Sequence, residues 1–555
     1  MRKNLLALSI AAMIGGVSGM ANAAVFLSNA AVPGGTGLAV AAVPATDLNP
    51  TVTGVGHILT IPYFSTQGGN ATLLNITNTD VTNGKAVKLR FRGAANSDDI
   101  FDITIFLSPG DVWSAAVSAS GELSALSTND TSCTLPSIAD IKAQGGLFKT
   151  GRVNPANSNA ETREGYVEIL NTADIPAGSA LFTAIKHVAG KAPCTASVMD
   201  AQANDLAAGS ATNAPKARGY SWPTGGLYAN WILVNTTDKA SFSGEAVAIR
   251  AESAAGVNGA GNLVWFPQTT DAPALPAAGV AGFTADPLLQ SAGFAGQVAN
   301  YDFPDLSTPY TSTTAVTAAG SAAQASNLAA ALATKSVVND YLVGGGASFT
   351  TDWVFSMPTR RYSVVANYAA VTSSTPMNDS NAAYRLFSNL GNSHATTTTG
   401  TTVALTDKLD SAGSLEWFTP ANTLLATNDT GNICVTANGQ RFWDREETTP
   451  GASANVPVFS PRTPGKVSAV ALCGETSVLA FKSTGNSVLA ANVARTTITT
   501  GTYTNGWGVV DVTNSGFGLP LLGASFIKLS NPQVAAGLSG TYGITWPHRF
   551  VSAAK

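Results

Sequence analysis

"GKAVKLRFRGAANSDDIFDITIFL" runs from Gly84 to Leu107 and alternates apolar with polar side chains in each of its halves. Val87, Leu89 and Phe91 take turns with Lys88, Arg90 and Arg92; Phe101, Ile103, Ile105 and Leu107 take turns with Asp102, Thr104 and Phe106. Successive side chains leave a pleated strand on opposite sides, so a period of two marks a strand with one buried face. The two runs pair as an antiparallel hairpin with both apolar rows toward a core, and Asp102 then lies beside Arg90 or Arg92 on the polar row. An exposed cross-strand ion pair adds only about 0–1 kcal/mol, yet it helps fix register. Asp98 and Asp99 are left to the connection, where Asn and Asp favour turns through local backbone hydrogen bonds. Three aspartates in five positions raise the question of a metal or catalytic cluster; hairpin turn and register lock is the reading adopted.

The same pattern recurs along the 555 residues. "GHILTIPYF", "NATLLNITNTD", "GYVEIL", "NWILVNTT", "EAVAIRAE" and "NLVWFP" precede residue 270; "SLEWF", "NICVTANGQRFWD", "KVSAVALCG", "SVLAFKS", "GWGVVDV" and "ASFIKL" follow residue 350. Short β-branched and aromatic segments bounded by Gly, Pro, Asn or Asp predict an all-β chain. We expect two β-sandwich halves, immunoglobulin-like or jelly-roll-like, over 24–270 and 350–555. Between them, 271–349 reads as a connector with one helix, where Leu328, Leu332, Val337 and Tyr341 place apolar side chains on a helical face.

The first 23 residues carry a basic start, an apolar run from Leu5 to Val17 and the small-residue site Ala21-Asn22-Ala23, the pattern of an export signal. No further stretch reads as a transmembrane span, and the strands are too compact for an outer-membrane barrel. Roughly 530 residues remain after such a signal, enough for two to four domains. Charged residues make up only 12% of the chain and the net charge is −4 with no basic block, which excludes a nucleic-acid partner. Low charge also limits repulsion between copies and favours self-association.

Four cysteines allow three pairings. Spacing favours Cys133–Cys194 and Cys434–Cys473, one structural disulfide in each half, in keeping with an oxidising compartment. Neither pair has zinc or redox-motif spacing.

Catalytic signatures are sparse. His57, His187, His394 and His548 form no metal-ligand pattern, and no Gly-x-Ser-x-Gly elbow occurs. Asp444, Arg445, Glu446 and Glu447 form the densest charge cluster, but neighbours on a strand diverge, so a solvated turn is expected rather than a glycosidase pair. Arg163 and Glu164 likewise precede a strand. No cofactor is implied; calcium at an Asn- and Asp-rich loop, Asn96 to Asp99 or Asn378-Asp379, is the alternative. Trp222, Tyr228 and Trp231, with Trp546, either pack in the core or form a sugar-stacking platform.

Taken together, "IPYFSTQGGNATLLNITNTD", "GKAVKLRFRGAANSDDIFDITIFLSPGDVW", "REGYVEIL", "TDWVFSMPTRRYSV" and "FWDREE" are similar to a family of exported, largely uncharacterised β-rich surface proteins of Gram-negative bacteria. The resemblance spans Ile61 to about Arg549 and implies an envelope or extracellular location, with surface-layer or matrix-like members and no active site to transfer. The expected function is that of a secreted, non-enzymatic structural protein of the cell surface that self-associates. An adhesin recognising a cell-surface glycan or envelope protein is the first alternative, a secreted hydrolase the second.

Overall fold

Strands Gly84–Gly93 and Asp99–Leu107 pair antiparallel, with Leu89 opposite Ile103 and Arg90 opposite Asp102, the register that the alternation predicts. The computed structural model describes residues 24–265 except 33–36, 152, 155–157, 204–205 and 208; it also describes 327–344, 348–366, 385–387, 417–419, 422–425, 431–445, 470–481 and 487–552 except 499, 501–502, 515–516 and 536–537. The export signal, the Asn378-Asp379 loop, His394, Glu446 and Glu447 lie outside these residues.

The chain is all-β, built from sheets that are antiparallel except where Thr476–Phe481 and Arg495–Ile498 pair parallel, with short helices between them. Sheet I runs, in spatial order, Asp47–Thr51, Val247–Glu252, Ile58–Ser65, Glu164–Ile175, Gly84–Gly93, Asp99–Leu107 and Cys133–Leu135. Sheet II runs Ala240–Glu245, Leu227–Asn235, Asn70–Asn78, Val112–Ser120 and Leu123–Ser127. Leu59, Leu89, Ile103 and Ile169 of sheet I meet Leu74, Trp113, Val117 and Trp231 of sheet II in one buried cluster. Sheet III runs Gly439–Trp443, Asn505–Asp511, Ala333–Leu342, Phe517–Pro520 and Thr513–Asn514, with Arg549–Ser552 also paired to Ala333–Leu342. Sheet IV runs Arg495–Ile498, Thr476–Phe481, Ser348–Ser356, Leu522–Ala535 and Leu538–Pro547. Val337, Tyr341 and Val510 of sheet III face Trp353, Phe355 and Phe481 of sheet IV.

Sheet IV is covered on both sides at its centre. Val354 and Val478 alternate with Trp353, Phe355 and Phe481, and with Ala524 and Phe526 they enter the cluster of sheets I and II. The Phe526 ring lies 5.5 Å from Phe242, 5.8 Å from Trp231 and 6.1 Å from Tyr63. Strand Leu538–Pro547 presses on strand Ala240–Glu245 so closely that a Cβ on Gly543 would lie 2.0 Å from the Ser241 carbonyl oxygen. Sheets I and II draw on residues before 266 and sheets III and IV on residues from 327 onward, yet one hydrophobic cluster crosses between them.

The end of the stretch read as a connector differs from expectation. Helix occupies residues 327–332, and strand Ala333–Leu342 follows at once. Leu328 and Leu332 pack against Leu170 and Leu522 as helical neighbours. Val337 and Tyr341, expected on that helix, lie on the strand, where Val337, Asn339 and Tyr341 are all buried. A spacing of four fits period two as well as a helical turn, and β-branched Thr334, Val337 and Val338 favour the strand.

Both disulfides have the expected pairing. Cys133–Cys194 ties the edge strand of sheet I to the segment before a short helix, and Cys434–Cys473 joins directly opposed residues of strands Ile433–Thr436 and Ala471–Cys473. Cys133–Cys194 closes the longer loop, 61 residues against 39. Replacing both of its cysteines by serine is expected to lower the unfolding free energy by about 2–4 kcal/mol. The shift of the urea midpoint measures it; an unchanged midpoint contradicts it.

Candidate functional site

The polar row of the opening hairpin is not solvated. Lys88, Arg90 and Arg92 are all buried, with Glu168 of the neighbouring strand opposite Arg90. Lys88 pairs with Asp102, and Arg92 with Glu168 through Nε at 3.2 Å. Asp102 therefore sits opposite Arg90 in register but gives its carboxylate to Lys88, on the adjacent same-face position.

The Asn96 to Asp99 loop is buried too and forms a junction with residues from beyond position 327. Asp98 accepts from Arg361 Nη1 at 2.9 Å, and Asn96 donates to the Gly431 carbonyl and accepts from the Ile433 amide, both at 3.1 Å. Arg360 donates Nε to Glu475 at 2.6 Å and Nη2 to the Ala95 carbonyl at 3.2 Å. The Glu475 and Thr476 amides donate to Ala95 and Ala94, which docks the start of a sheet IV strand on the hairpin loop. Burial pushes the Glu475 carboxyl up, with Arg360 acting against it. These oxygens serve guanidinium and amide donors, and the loop acts as a structural joint.

A second joint forms around Glu164, which opens its strand and is buried. Its carboxylate accepts from the Asn492 and Val493 amides, both at 2.7 Å, and from the Tyr63 hydroxyl at 2.9 Å. Burial raises its pKa. Asn70 donates to the Leu489 carbonyl at 2.7 Å, and Asp352 accepts from the Leu489 amide at 3.0 Å. Residues 487–494 are thus gripped by Asn70, Glu164 and Asp352, while Val488, Leu489 and Ala491 enter the core of sheets I and II.

The described histidines act locally. His57 bonds the Gly259 carbonyl and the Ala251 amide, His548 bonds the Val354 carbonyl and Asn339, and burial lowers both to about 3. His187 Nδ1 lies 3.4 Å from Asp111 and 3.3 Å from Ser108, and its Nε2 lies 3.3 Å from Thr131 Oγ1. The Thr131 hydroxyl donates its single proton to the Gly190 carbonyl at 3.1 Å, so this cluster ties three turns together. Close by, a cleft of about 710 Å³ lies along the first disulfide, lined by Cys133, Leu135, Met199 and three aspartates. Two of these cap turns: Asp130 accepts from Ser132, and Asp140 from Ser137.

The proposed sugar platform dissolves. Trp231 is core, donating its indole to the Glu245 carbonyl, and half-buried Trp222 donates to the Ala39 carbonyl. Trp546 is 46% exposed on the edge strand of sheet IV. A different aromatic pair, missed from sequence, stands on the outer face of sheet III: Trp443 and Trp507 are cross-strand partners with parallel rings 4.2 Å apart. Their strands were legible, but nothing in the sequence told which strand would lie beside which.

Comparison with protein-family models, curated proteins and solved structures gives no match. Among the described residues no helix is long and apolar enough to cross a membrane, and no three metal-ligating side chains cluster.

Proposed function

We propose that the protein is an exported, non-enzymatic structural protein of a Gram-negative cell surface that packs against copies of itself in a layer, filament or matrix. The observation that carries this reading is where the charge goes. Of 30 basic and 34 acidic side chains, at least sixteen among the described residues are buried, many in the hairpin row and the two joints. Charged side chains are almost never buried unless paired. Placing at least a quarter of a small complement inside lowers the charge left on the outer surface to hold neighbouring copies apart. The disulfides suit an oxidising exterior, and the family resemblance points the same way.

Purified mature protein is expected to enter ordered sheets or filaments by electron microscopy as its concentration rises, with a matching increase in sedimentation coefficient. A strict monomer over the whole range, without ordered arrays, overturns the proposal. A binding role is the second reading, favoured by the outer face of sheet III.

A further inference from the structure

We propose that the outer face of sheet III binds a neutral polysaccharide, with one pyranose ring stacked on Trp507 above Asp340. Residues directly opposed on neighbouring strands share a face. One row therefore reads Trp443, Trp507, Asp340, and the next reads Arg441, Val509, Val338, Arg549. Their alternates Phe442, Val510, Val337 and Tyr341 point into the core, which fixes the first set as the outward one. Trp507 is 40% exposed, and Arg441, Asp340 and Arg549 are exposed.

Strands lie about 4.8 Å apart, close to the stacking distance of two rings. Trp443 uses that spacing to cover one face of Trp507. On the other side the next position is Asp340, too small to cover the second face, so the row holds a slot about one ring wide. The C–H face of a pyranose suits the electron-rich indole, as a planar cation or aromatic edge would. What selects the sugar is the rim. Asp340 supplies a hydrogen-bond acceptor at the floor, and its carboxylate is engaged by no side chain among the described residues. Arg441 and Arg549 supply donors one row away, within reach across the diagonal. Alternating hydroxyls use both kinds of group, whereas a hydrophobic protein partner would leave these charges desolvated and unpaired. The face carries Asp340 and Asp511 against Arg441 and Arg549, a balance that fits an uncharged polymer better than an acidic one. This site is separate from the self-association reading and stands or falls without it.

Affinity electrophoresis of the mature protein through gels containing laminarin, xylan, dextran or galactomannan, with alginate as the acidic control, tests the proposal. At least one neutral polymer is expected to retard the wild-type protein. Trp507→Ala should weaken that retardation by about tenfold or more, Trp507→Tyr should keep part of it, and Asp340→Asn should weaken it several-fold. Tyr542→Ala, at an aromatic 60% exposed on sheet IV, should leave it unchanged. An unchanged thermal midpoint shows that each variant is folded. No retardation by any neutral polymer, retardation by alginate alone, or equal retardation of Trp507→Ala overturns the proposal. So does a Trp507→Ala variant that loses only self-association, which would make the face an interface between copies.

Discussion

Arg360→Ala is expected to lower the unfolding free energy by about 3–5 kcal/mol, the cost of breaking a buried ion pair from one side. Arg360 is buried, and its guanidinium serves Glu475 and the carbonyls of Ala95 and Ile433 at once. Removing it takes the guanidinium charge away from the Glu475 carboxylate in a desolvated site, leaving it the Arg361 amide, and costs the Ala95 and Ile433 carbonyls one of their two donors. The Asn96 loop then loses a main hold on the strand that begins at Thr476, so the loss should fall on the joint itself. Urea denaturation followed by tryptophan fluorescence and by circular dichroism measures it. Arg360→Met combined with Glu475→Gln is expected to recover most of the lost stability, because both buried charges leave together. An Arg360→Ala midpoint equal to that of the wild-type protein would show that the pair contributes nothing to holding the halves.

Local pairing was readable because it depends on periodicity. The Gly84–Leu107 alternation yields the Leu89–Ile103 register directly, since a slip by one residue would turn Val87, Leu89 and Phe91 away from the core. What covers the other face of the same hairpin was not readable. Period two assigns Lys88, Arg90 and Arg92 to one side but does not tell whether that side meets water or a second layer. A signal was present in the company these cations keep: in so lightly charged a chain, Glu164 and Glu168 recur on a strand of matching period, as buried partners would require. The candidate site suffers from the same limit. Trp443 and Trp507 are separated by many residues and meet only because strands Gly439–Trp443 and Asn505–Asp511 are neighbours in sheet III. Trp231 looked equally available for a ligand until Phe526 arrived from the other half to cover it.

Asp352→Asn is expected to steepen the loss of stability in acid, by about 2 kcal/mol between pH 7 and pH 4 relative to the wild-type protein. Burial raises the Asp352 carboxyl from its ordinary 3.8 to about 6, against the opposing hydrogen bond from the Leu489 amide. Between these values the native state keeps a proton that the unfolded chain has released. This contribution to stability is therefore fully present below pH 4 and is lost as the pH rises through 6. Glu164 and Glu475, both raised by burial, act in the same direction. His57 and His548 oppose them: lowered from 6.5 to about 3, they stay neutral in the fold while the unfolded chain takes up protons, so their contribution is lost as pH falls below 6.5. The wild-type curve should consequently be shallow between pH 4 and 6, the two sets offsetting each other. Asparagine keeps an oxygen for the Leu489 amide but cannot titrate, which removes one arm and uncovers the histidines. The variant should gain on the wild-type protein at pH 7 and lose that advantage by pH 4, as read from urea midpoints at unit pH steps. Parallel curves for the two proteins would show that Asp352 titrates as it does in the unfolded chain and that residues 487–494 are not held by a buried, proton-linked carboxyl.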